Sequence, residues 1–164
     1  MEIRRYLDEV LARYKLEPSL KDVYVEGPQD SSFLRWFFSK IGRNDIHVYQ
    51  IQTVEIPESF FQNSTLQKES NHDQVVLLSE MLAECFSRIK IPVRCIVDAD
   101  YDRHLKRCKQ NYILLYTDFT SMQMYLFNES IVGKTRNIIV PSFPISAVSL
   151  LDQLVDVLKE LFLI

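Results

Sequence analysis

The sequence predicts an α/β fold in which a mainly parallel sheet of four strands is flanked by helices. Short runs of β-branched and aromatic residues alternate along the chain with longer stretches of helical periodicity, which is the pattern of βαβ units. A Gly-Pro turn follows the first strand and a helix follows the turn, so we expect the first two strands to pair in parallel. The 164 residues, 47% of them apolar and 25% charged, suit one globular domain of ordinary size.

Each element has a local signal in the sequence. Pro18 ends the first helix, Asp30 or Ser31 can cap the second, and Gly42 closes that second helix as its C′ residue. Pro92 precedes the most apolar strand, which we expect at the centre of the sheet because parallel strands are buried on both faces. In chain order we expect a helix over 3–16, a strand over 22–26, a helix that ends before residue 42, a strand over 46–51, a helix over 73–86, strands over 93–97 and 112–116, and a helix through 124–126.

The remaining segments complete the predicted architecture. Residues 53–71 are polar and have neither period, so they predict a loop. Residues 137–140 can form one more strand, and residues 146–162 a last helix whose apolar side suits docking on a partner or the start of a longer region. We therefore divide the chain into an N-terminal helix (1–20), an α/β domain (21–140) and a C-terminal helix (141–164).

Composition and charge argue against several classes of protein. The net charge of −3 argues against binding nucleic acid by bulk positive potential. The longest apolar runs are far shorter than the roughly 20 residues of a membrane-spanning helix, and the first residues lack the apolar segment of a secretion signal. Cys85, Cys95 and Cys108 are widely spaced with no CxxC pair, so we expect neither a disulfide framework nor a structural zinc site. These features predict a cytoplasmic protein with no membrane segment.

Acidic residues follow two of the predicted strands. Glu26 ends the first strand and Asp98 ends the central one, and the carboxyl ends of parallel strands meet at one edge of a sheet. If the chain stays extended beyond Asp98, alternation places Asp98, Asp100 and Asp102 on the same side. Carboxylates about 4 Å apart repel by roughly 4 kcal/mol at an effective dielectric of 20, and a bound cation would offset this repulsion. Oxygen ligands of this charge suit Mg²⁺ and phosphate chemistry.

The alternative interpretation of these aspartates is structural, because aspartates after strands often cap helices or lie in solvated turns. Asp98-x-Asp100 alone leaves both interpretations open. Glu26-Gly27 after another strand favours the metal site, since Gly27 permits a tight turn that brings Glu26 toward the neighbouring strand end.

Three sequence blocks thus follow one another in a fixed order. They are Val25-Glu26-Gly27 with Asp30, then Val97-Asp98-Ala99-Asp100-Tyr101-Asp102, then Tyr116-Thr117-Asp118. This order resembles the Toprim domain, a Rossmann-like α/β domain of topoisomerases, primases and overcoming-lysogenization-defect nucleases, over roughly residues 20–128. Within that superfamily the chain is most similar to a bacterial group found beside ABC-type ATPases in anti-phage defence loci.

The resemblance implies cleavage of phosphodiester bonds in DNA or RNA with Mg²⁺ or Mn²⁺ as the cofactor. It implies that Glu26 is a general base or metal ligand, that Asp98 and Asp100 are metal ligands, and that Asp30 and Asp102 support them. It also implies an ABC-type ATPase partner, with the chain as the effector of a defence system. The number of copies that assemble stays open, and a homo-oligomer is one of the expectations.

Asp118 and Gln123 complete the expected supporting set. Gln123 stands where similar proteins carry a carboxylate, so we expect weaker metal binding or a single metal ion. Arg103, Lys106 and Arg107 lie at helical spacing directly after the acidic run and can contact nucleic-acid phosphates, with a solvated basic face as the alternative.

Two other functions fit parts of the sequence. Gln123 and the apolar last helix fit a Toprim-like interaction module whose site has decayed and that docks on an ATPase. A haloacid-dehalogenase-like phosphatase would use Asp98 as the nucleophile and Asp100 as the acid. The aspartate pair of that phosphatase family normally follows the first core strand, and a phosphatase would leave Glu26 unexplained, so we rank this function last.

Two groups of aromatic side chains receive no role in the predicted site. Trp36, Phe37 and Phe38 are expected to pack in the core rather than to stack on bases. His47, in a strand, and His72, in a polar loop, have no partner nearby in the sequence.

Overall fold

A computed structural model describes residues 4–62, 64–140, 142 and 144–162 of the chain. Strands and helices alternate along most of it, as the hydrophobic periodicity predicts. In chain order the elements are β1 (Arg5–Tyr6), α1 (Leu7–Leu16), β2 (Lys21–Val25), α2 (Pro28–Lys40), β3 (Ile46–Gln50), β4 (Val54–Glu55), α3 (Asn71–Cys85), β5 (Arg94–Val97), α4 (Asp102–Leu105), β6 (Leu114–Tyr116), α5 (Glu129–Ile139) and α6 (Ala147–Phe162). Short 3₁₀ helices cover Ile51–Thr53, Glu58–Phe60 and Met122–Leu126.

Four strands form the main sheet in the order β3-β2-β5-β6, and every neighbouring pair is parallel. Val25, the last residue of β2, lies beside Gln50 of β3 and Ile96 of β5. The fold is therefore α/β with a mainly parallel, Rossmann-like sheet flanked by helices, as predicted. The short strands β1 and β4 pair in parallel in a separate sheet.

The hydrophobic core joins the sheet to α1 and α3. Four of the five positions of β2 are buried, as expected for a strand with neighbours on both sides and covered faces. Helix α1 contributes Leu7, Val10 and Tyr14, which recur at helical spacing on its buried side. Helix α3 is more apolar than α1. It buries a contiguous run, Val75, Val76, Leu77, Leu78 and Ser79, together with Leu82.

A buried carboxylate lies at the amino end of β2. Asp22 is fully buried, and its Oδ2 accepts the Tyr14 hydroxyl and lies next to the Arg13 guanidinium, each at 2.8 Å. Burial raises the pKa of both Tyr14 and Tyr24, so both phenols stay protonated. Because the Tyr14 proton points to Asp22, the Tyr24 hydroxyl donates to Tyr14 at 2.9 Å. These partners compensate for removing the Asp22 charge from water.

Helix α5 replaces the strand predicted over residues 137–140. The helix begins after Asn128, whose side chain accepts the Ile131 N–H at 3.1 Å as an N-cap, and it continues to Ile139. Ile138 and Ile139 lie in its last turn and are 80% and 70% exposed. The strand prediction was wrong because Asn128 caps a helix that continues through Ile138 and Ile139. The β-branched run there is too short to form a strand against this helix.

Two further predictions need correction. Trp36 and Phe37 do not pack in the core but are 55% and 42% exposed, because α2 packs on the edge strand β3 with Leu34 buried and these two aromatic side chains turned outward. The segment predicted as a loop over 53–71 contains β4 and a 3₁₀ helix, and it buries Ile56 and Phe61 in the main core.

The chain divides into two compact units between Thr120 and Ser121. The first unit contains the sheet, and α1 contributes Leu7, Val10 and Tyr14 to its core. The second unit contains α5 and α6, which approach closely: a Cβ on Gly133 would lie 3.4 Å from the Ala147 Cβ. Among the helices described here, none is long and apolar enough to span a membrane.

Removing the charge of Asp22 should destabilise the fold, because Arg13 and the two tyrosines would face a neutral group. We expect Asp22→Asn to lower the free energy of unfolding by about 3 kcal/mol, measured by urea denaturation. Asp45→Asn is the matched control, since Asp45 is exposed and pairs with Lys21 and Arg43 at the surface. Equal effects of the two substitutions would contradict this role of the buried cluster.

Candidate functional site

Glu26 follows β2 directly and lies at the carboxyl edge of the sheet, with 22% of its side chain exposed. The next residues begin α2: Pro28 is in its first turn, and the Asp30 carboxylate accepts the Gly27 N–H at 3.1 Å. Asp30 therefore occupies the third helical position rather than the cap. Gly27 is extended, with φ −147°, and a Cβ there would meet only Asp30 Oδ2 at 3.6 Å. The turn thus does not depend on glycine, contrary to the prediction.

Glu26 contacts the neighbouring strand end through one oxygen. Its Oε1 accepts the Asp98 backbone N–H at 2.8 Å, although the two residues are separated by 72 positions. The contact follows from the sheet, because β2 and β5 are parallel neighbours whose carboxyl ends coincide. No residue in the described ranges donates a hydrogen bond to Glu26 Oε2, so this second oxygen is available to a ligand.

His72 bridges Glu26 and Asp102. Its Nδ1 lies 3.3 Å from Glu26 Oε1, and its Nε2 lies 3.5 Å from Asp102 Oδ2, with 16% of the side chain exposed. The hydrogen bond to Glu26 raises the pKa of His72, against the lowering effect of burial, and the charges of Glu26, Asp102 and Asp73 raise it further. A protonated imidazole donates from both nitrogens, so this geometry suits the imidazolium form.

The sequence interpretation missed His72 because its partners are distant along the chain. The residue was assigned to a loop, yet α3 begins at Asn71, and the Ser70 side chain caps the helix by accepting the Asp73 N–H at 3.2 Å. Ser70 followed three residues later by an acidic residue is a helix-start signal that could have located the first turn. No local pattern could have shown which carboxylates His72 contacts.

The chain turns sharply after β5. Asp100 has a φ of +40°, a conformation that few residues other than glycine adopt, and Asp102 begins α4. The prediction of an extended chain with Asp98, Asp100 and Asp102 on one side is therefore wrong. Asp98 is half-buried at the strand end, Asp100 is exposed in the turn, and Asp102 points to His72 instead.

Thr117 holds this turn in place from the next strand. Its hydroxyl accepts the Ala99 N–H at 2.9 Å and donates to the Phe119 carbonyl at 2.6 Å. The Asp100 N–H donates a hydrogen bond to the Thr120 carbonyl at 2.9 Å. The turns after β5 and β6 therefore form one hydrogen-bonded unit.

The other expected supporting residues occupy different surroundings. Burial, together with the charge of Glu26, raises the pKa of Asp30, which places it electrostatically near the site. Asp118 is exposed in the turn after β6, and its carbonyl accepts from Arg103 Nη1 at 3.2 Å. Gln123 is exposed in the 3₁₀ helix Met122–Leu126, which belongs to the second unit. A contribution of Gln123 to the site stays a prediction.

The basic residues after the acidic run do not share a helix face. Helix α4 ends at Leu105, and Lys106 has a φ of +56°, so the helical spacing predicted for Arg103, Lys106 and Arg107 is wrong. Arg103 donates to the Thr117 carbonyl at 2.7 Å and thereby supports the turn after β6. Lys106 and Arg107 are exposed.

The donor set can be compared with the needs of a divalent cation. Within residues 4–62, 64–140, 142 and 144–162, no three His, Cys, Asp or Glu side chains form a group that could hold a metal ion. Mg²⁺, however, usually binds one or two carboxylates and keeps several waters. Glu26, with one oxygen fixed and one available, and Asp98 on the adjacent strand end fit such a site. A three-carboxylate site that includes Asp100 is not assembled in this arrangement.

Protonated His72 should stabilise the fold between its two carboxylates. Because its folded pKa lies above the ordinary histidine value of 6.5, this stabilisation is complete below about pH 6.5 and is lost as the pH rises through the folded value. We expect the difference in unfolding free energy between wild type and His72→Gln, measured with EDTA present, to shrink with rising pH. In a Glu26→Gln background the pH dependence should flatten, and an unchanged profile there would contradict the pairing with Glu26.

Loss of the Thr117 hydroxyl should loosen the turn that carries Asp98 and Asp100. We expect Thr117→Val to lower the unfolding free energy by about 1–3 kcal/mol, because the buried Ala99 N–H loses its acceptor. The Ala99 amide should also exchange faster in hydrogen-exchange measurements. Thr117→Ser keeps the hydroxyl and should retain most of the protection; equal loss in both variants would contradict the role of the hydroxyl.

No protein-family model matches the sequence, and no curated protein is significantly similar to it. A parallel α/β sheet hosts many unrelated activities, so the fold alone does not identify the reaction. The evidence for a function therefore comes from the side chains at the ends of β2, β5 and β6.

Proposed function

We propose that the chain is a Toprim-like nuclease that uses Mg²⁺ or Mn²⁺ to cleave phosphodiester bonds of DNA or RNA. The observation that carries the proposal is the contact between Glu26 Oε1 and the Asp98 N–H at 2.8 Å. It brings an acidic side chain from one strand end next to the Asp98-x-Asp100 turn of its neighbour, where open α/β sheets bind ligands.

Glu26 through Oε2 and Asp98 would hold the cation, whereas Asp100, predicted as a third ligand, lies on the adjoining turn and is not brought into this ligand set. A bound divalent ion would polarise a phosphoryl oxygen and lower the pKa of a bound water. Two protein carboxylates with several waters satisfy Mg²⁺, which supports a single-metal arrangement. The neutral Gln123 in the place of a carboxylate supports the same arrangement.

The chain's own residues fix the Glu26 carboxylate. The Asp98 N–H and His72 Nδ1 both contact Oε1, and Asp102 holds the far nitrogen of His72. A carboxylate restrained in this way loses little rotational freedom when a ligand binds Oε2. If Glu26 acts instead as the general base, the same contacts would orient Oε2 toward the attacking water.

The charge distribution supports dependence on a partner. The net charge of −3 gives little long-range attraction for nucleic acid, and the exposed cations Lys106 and Arg107 supply only local phosphate contacts. Together with the resemblance of the three sequence blocks, this supports an effector of anti-phage defence that acts in the cytoplasm with an ABC-type ATPase.

A decayed interaction module is the second candidate function. It is favoured by one observation, namely that the described residues contain no group of three side chains that could hold a metal ion. Such a module would keep the fold and the contact between Glu26 and Asp98 for structural reasons and would dock on the ATPase. It predicts no specific uptake of divalent metal.

Substitution of the proposed ligands tests the nuclease directly. We expect Glu26→Gln and Asp98→Asn each to lower Mg²⁺- or Mn²⁺-dependent cleavage of single-stranded DNA or RNA by about 100-fold or more. Asp45→Asn, an exposed carboxylate held by Arg43 and Lys21, is the control and should cleave like wild type. The assays include any ATPase encoded beside the chain, since activation in trans is part of the proposal.

Calorimetry separates the two candidate functions. The nuclease predicts uptake of Mn²⁺ that Asp98→Asn abolishes and Asp45→Asn preserves. Undiminished cleavage by both ligand variants would exclude the proposed site. Absence of both cleavage and metal uptake, with the ATPase present, would favour the interaction module.

A further inference from the structure

A cleft of about 390 Å³ opens beside the bridge formed by Glu26, His72 and Asp102. His72 and Asp102 belong to its lining, and Arg107 and Lys109 supply positive charge. The lining also includes Thr65, Leu66, Val76 and Tyr116. The volume lies at the small end of the range for ligand pockets, which is suitable for one nucleotide unit.

The cleft presents more hydrogen-bond donors than its own acceptors satisfy. Arg107 has no ion pair with any described residue, and Lys109 Nζ uses one of its three protons on Glu80 at 2.9 Å. The Tyr116 hydroxyl accepts the Lys109 backbone N–H at 3.0 Å, which leaves its own proton to donate. Thr65 contributes a further hydroxyl.

The acidic groups of the cleft already have partners. Asp73 Oδ2 accepts the Gln67 N–H at 2.8 Å, and Asp102 Oδ2 faces His72 Nε2 at 3.5 Å. Arg107, which has no ion pair with a described residue, favours a ligand that brings acceptors, and its planar guanidinium matches the oxygens of a phosphate.

Part of the lining is apolar or aromatic. Leu66 packs partly against the core, Val76 is buried, and the Tyr116 ring lies 6.3 Å from the His72 ring between centroids. Such a surface suits a sugar or a base, which can pack on an aromatic ring without sequence-specific hydrogen bonds. Phosphate donors and an apolar wall in one cleft are the two halves of a nucleotide site.

We propose that this cleft binds a single nucleotide of the substrate strand, with its phosphate on Arg107 and Lys109 and its sugar or base against Leu66 and Tyr116. The proposal rests on the nuclease function and names a subsite next to its acidic residues. It requires an unpaired nucleotide, because a base within a duplex cannot enter a cleft of this size.

Binding without metal tests the subsite independently of cleavage. Fluorescence anisotropy in EDTA would measure the affinity of the full chain for fluorescein-labelled single-stranded RNA and DNA and for a matched duplex. We expect Arg107→Ala to weaken single-strand binding about tenfold and to reduce the salt slope by about 0.7. Tyr116→Phe, which removes only the hydroxyl, should have a smaller effect.

Arg88→Ala is the matched control, since Arg88 lines a separate cleft with Cys85 and Ile89. It should bind the single strand like wild type, and the duplex should bind more weakly than the single strand in all variants. Competition by adenosine monophosphate that Arg107→Ala weakens would also support the site. Inorganic phosphate alone should compete less well than the nucleotide.

Several outcomes would overturn the subsite. They are no single-strand binding by wild type, equal effects of Arg107→Ala and Arg88→Ala, or a preference for duplex. If wild type cleaves with metal while Arg107→Ala binds and cleaves normally, the nuclease stands and the subsite fails. If Arg107→Ala loses binding while neither wild type nor any variant cleaves with metal and the ATPase present, the subsite stands and the nuclease fails.

Discussion

Glu26 Oε1 accepts the Asp98 N–H at 2.8 Å, and this bond requires β2 and β5 to lie side by side in parallel with their carboxyl ends level. Once it forms, one carboxylate oxygen is fixed to the backbone and to His72, and the turn that follows β5 is tied to β2. Thr117 then ties the same turn to β6. Three neighbouring strand ends are thus joined at one edge of the sheet, which restrains the side chains that follow them.

The sheet was predictable because its signals are local. Apolar and β-branched runs predicted the four strands, and the Gly-Pro turn indicated the first βαβ unit. The errors arose where a distant contact decides the outcome. Nothing near Trp36 in the sequence shows that α2 packs on the edge strand β3 with this side chain exposed, and nothing near His72 shows that it meets Glu26 and Asp102. The turn at Asp100 likewise depends on a distant contact, the hydrogen bond from its N–H to the Thr120 carbonyl.

Strand β2 carries two acidic residues whose surroundings differ. Asp22 and Glu26 are four residues apart and about 13 Å distant along an extended strand. Asp22 is fully buried, forms an ion pair with Arg13 and accepts a hydrogen bond from Tyr14. Glu26 is only partly buried, and its partners among the described residues contact one oxygen. One carboxylate is thus committed to the fold, whereas the other keeps a lone pair available for a ligand.

The positive φ of Asp100 affects how its side chain should be interpreted. At +40° the backbone itself favours Gly, Asn or Asp, so an aspartate there satisfies a conformational demand before any chemical one. Asp98 lies outside the positive-φ region, and its identity is therefore the better indicator of a need for charge. Comparison of asparagine and alanine at position 100 would separate these two demands, because asparagine keeps the turn while it removes the charge.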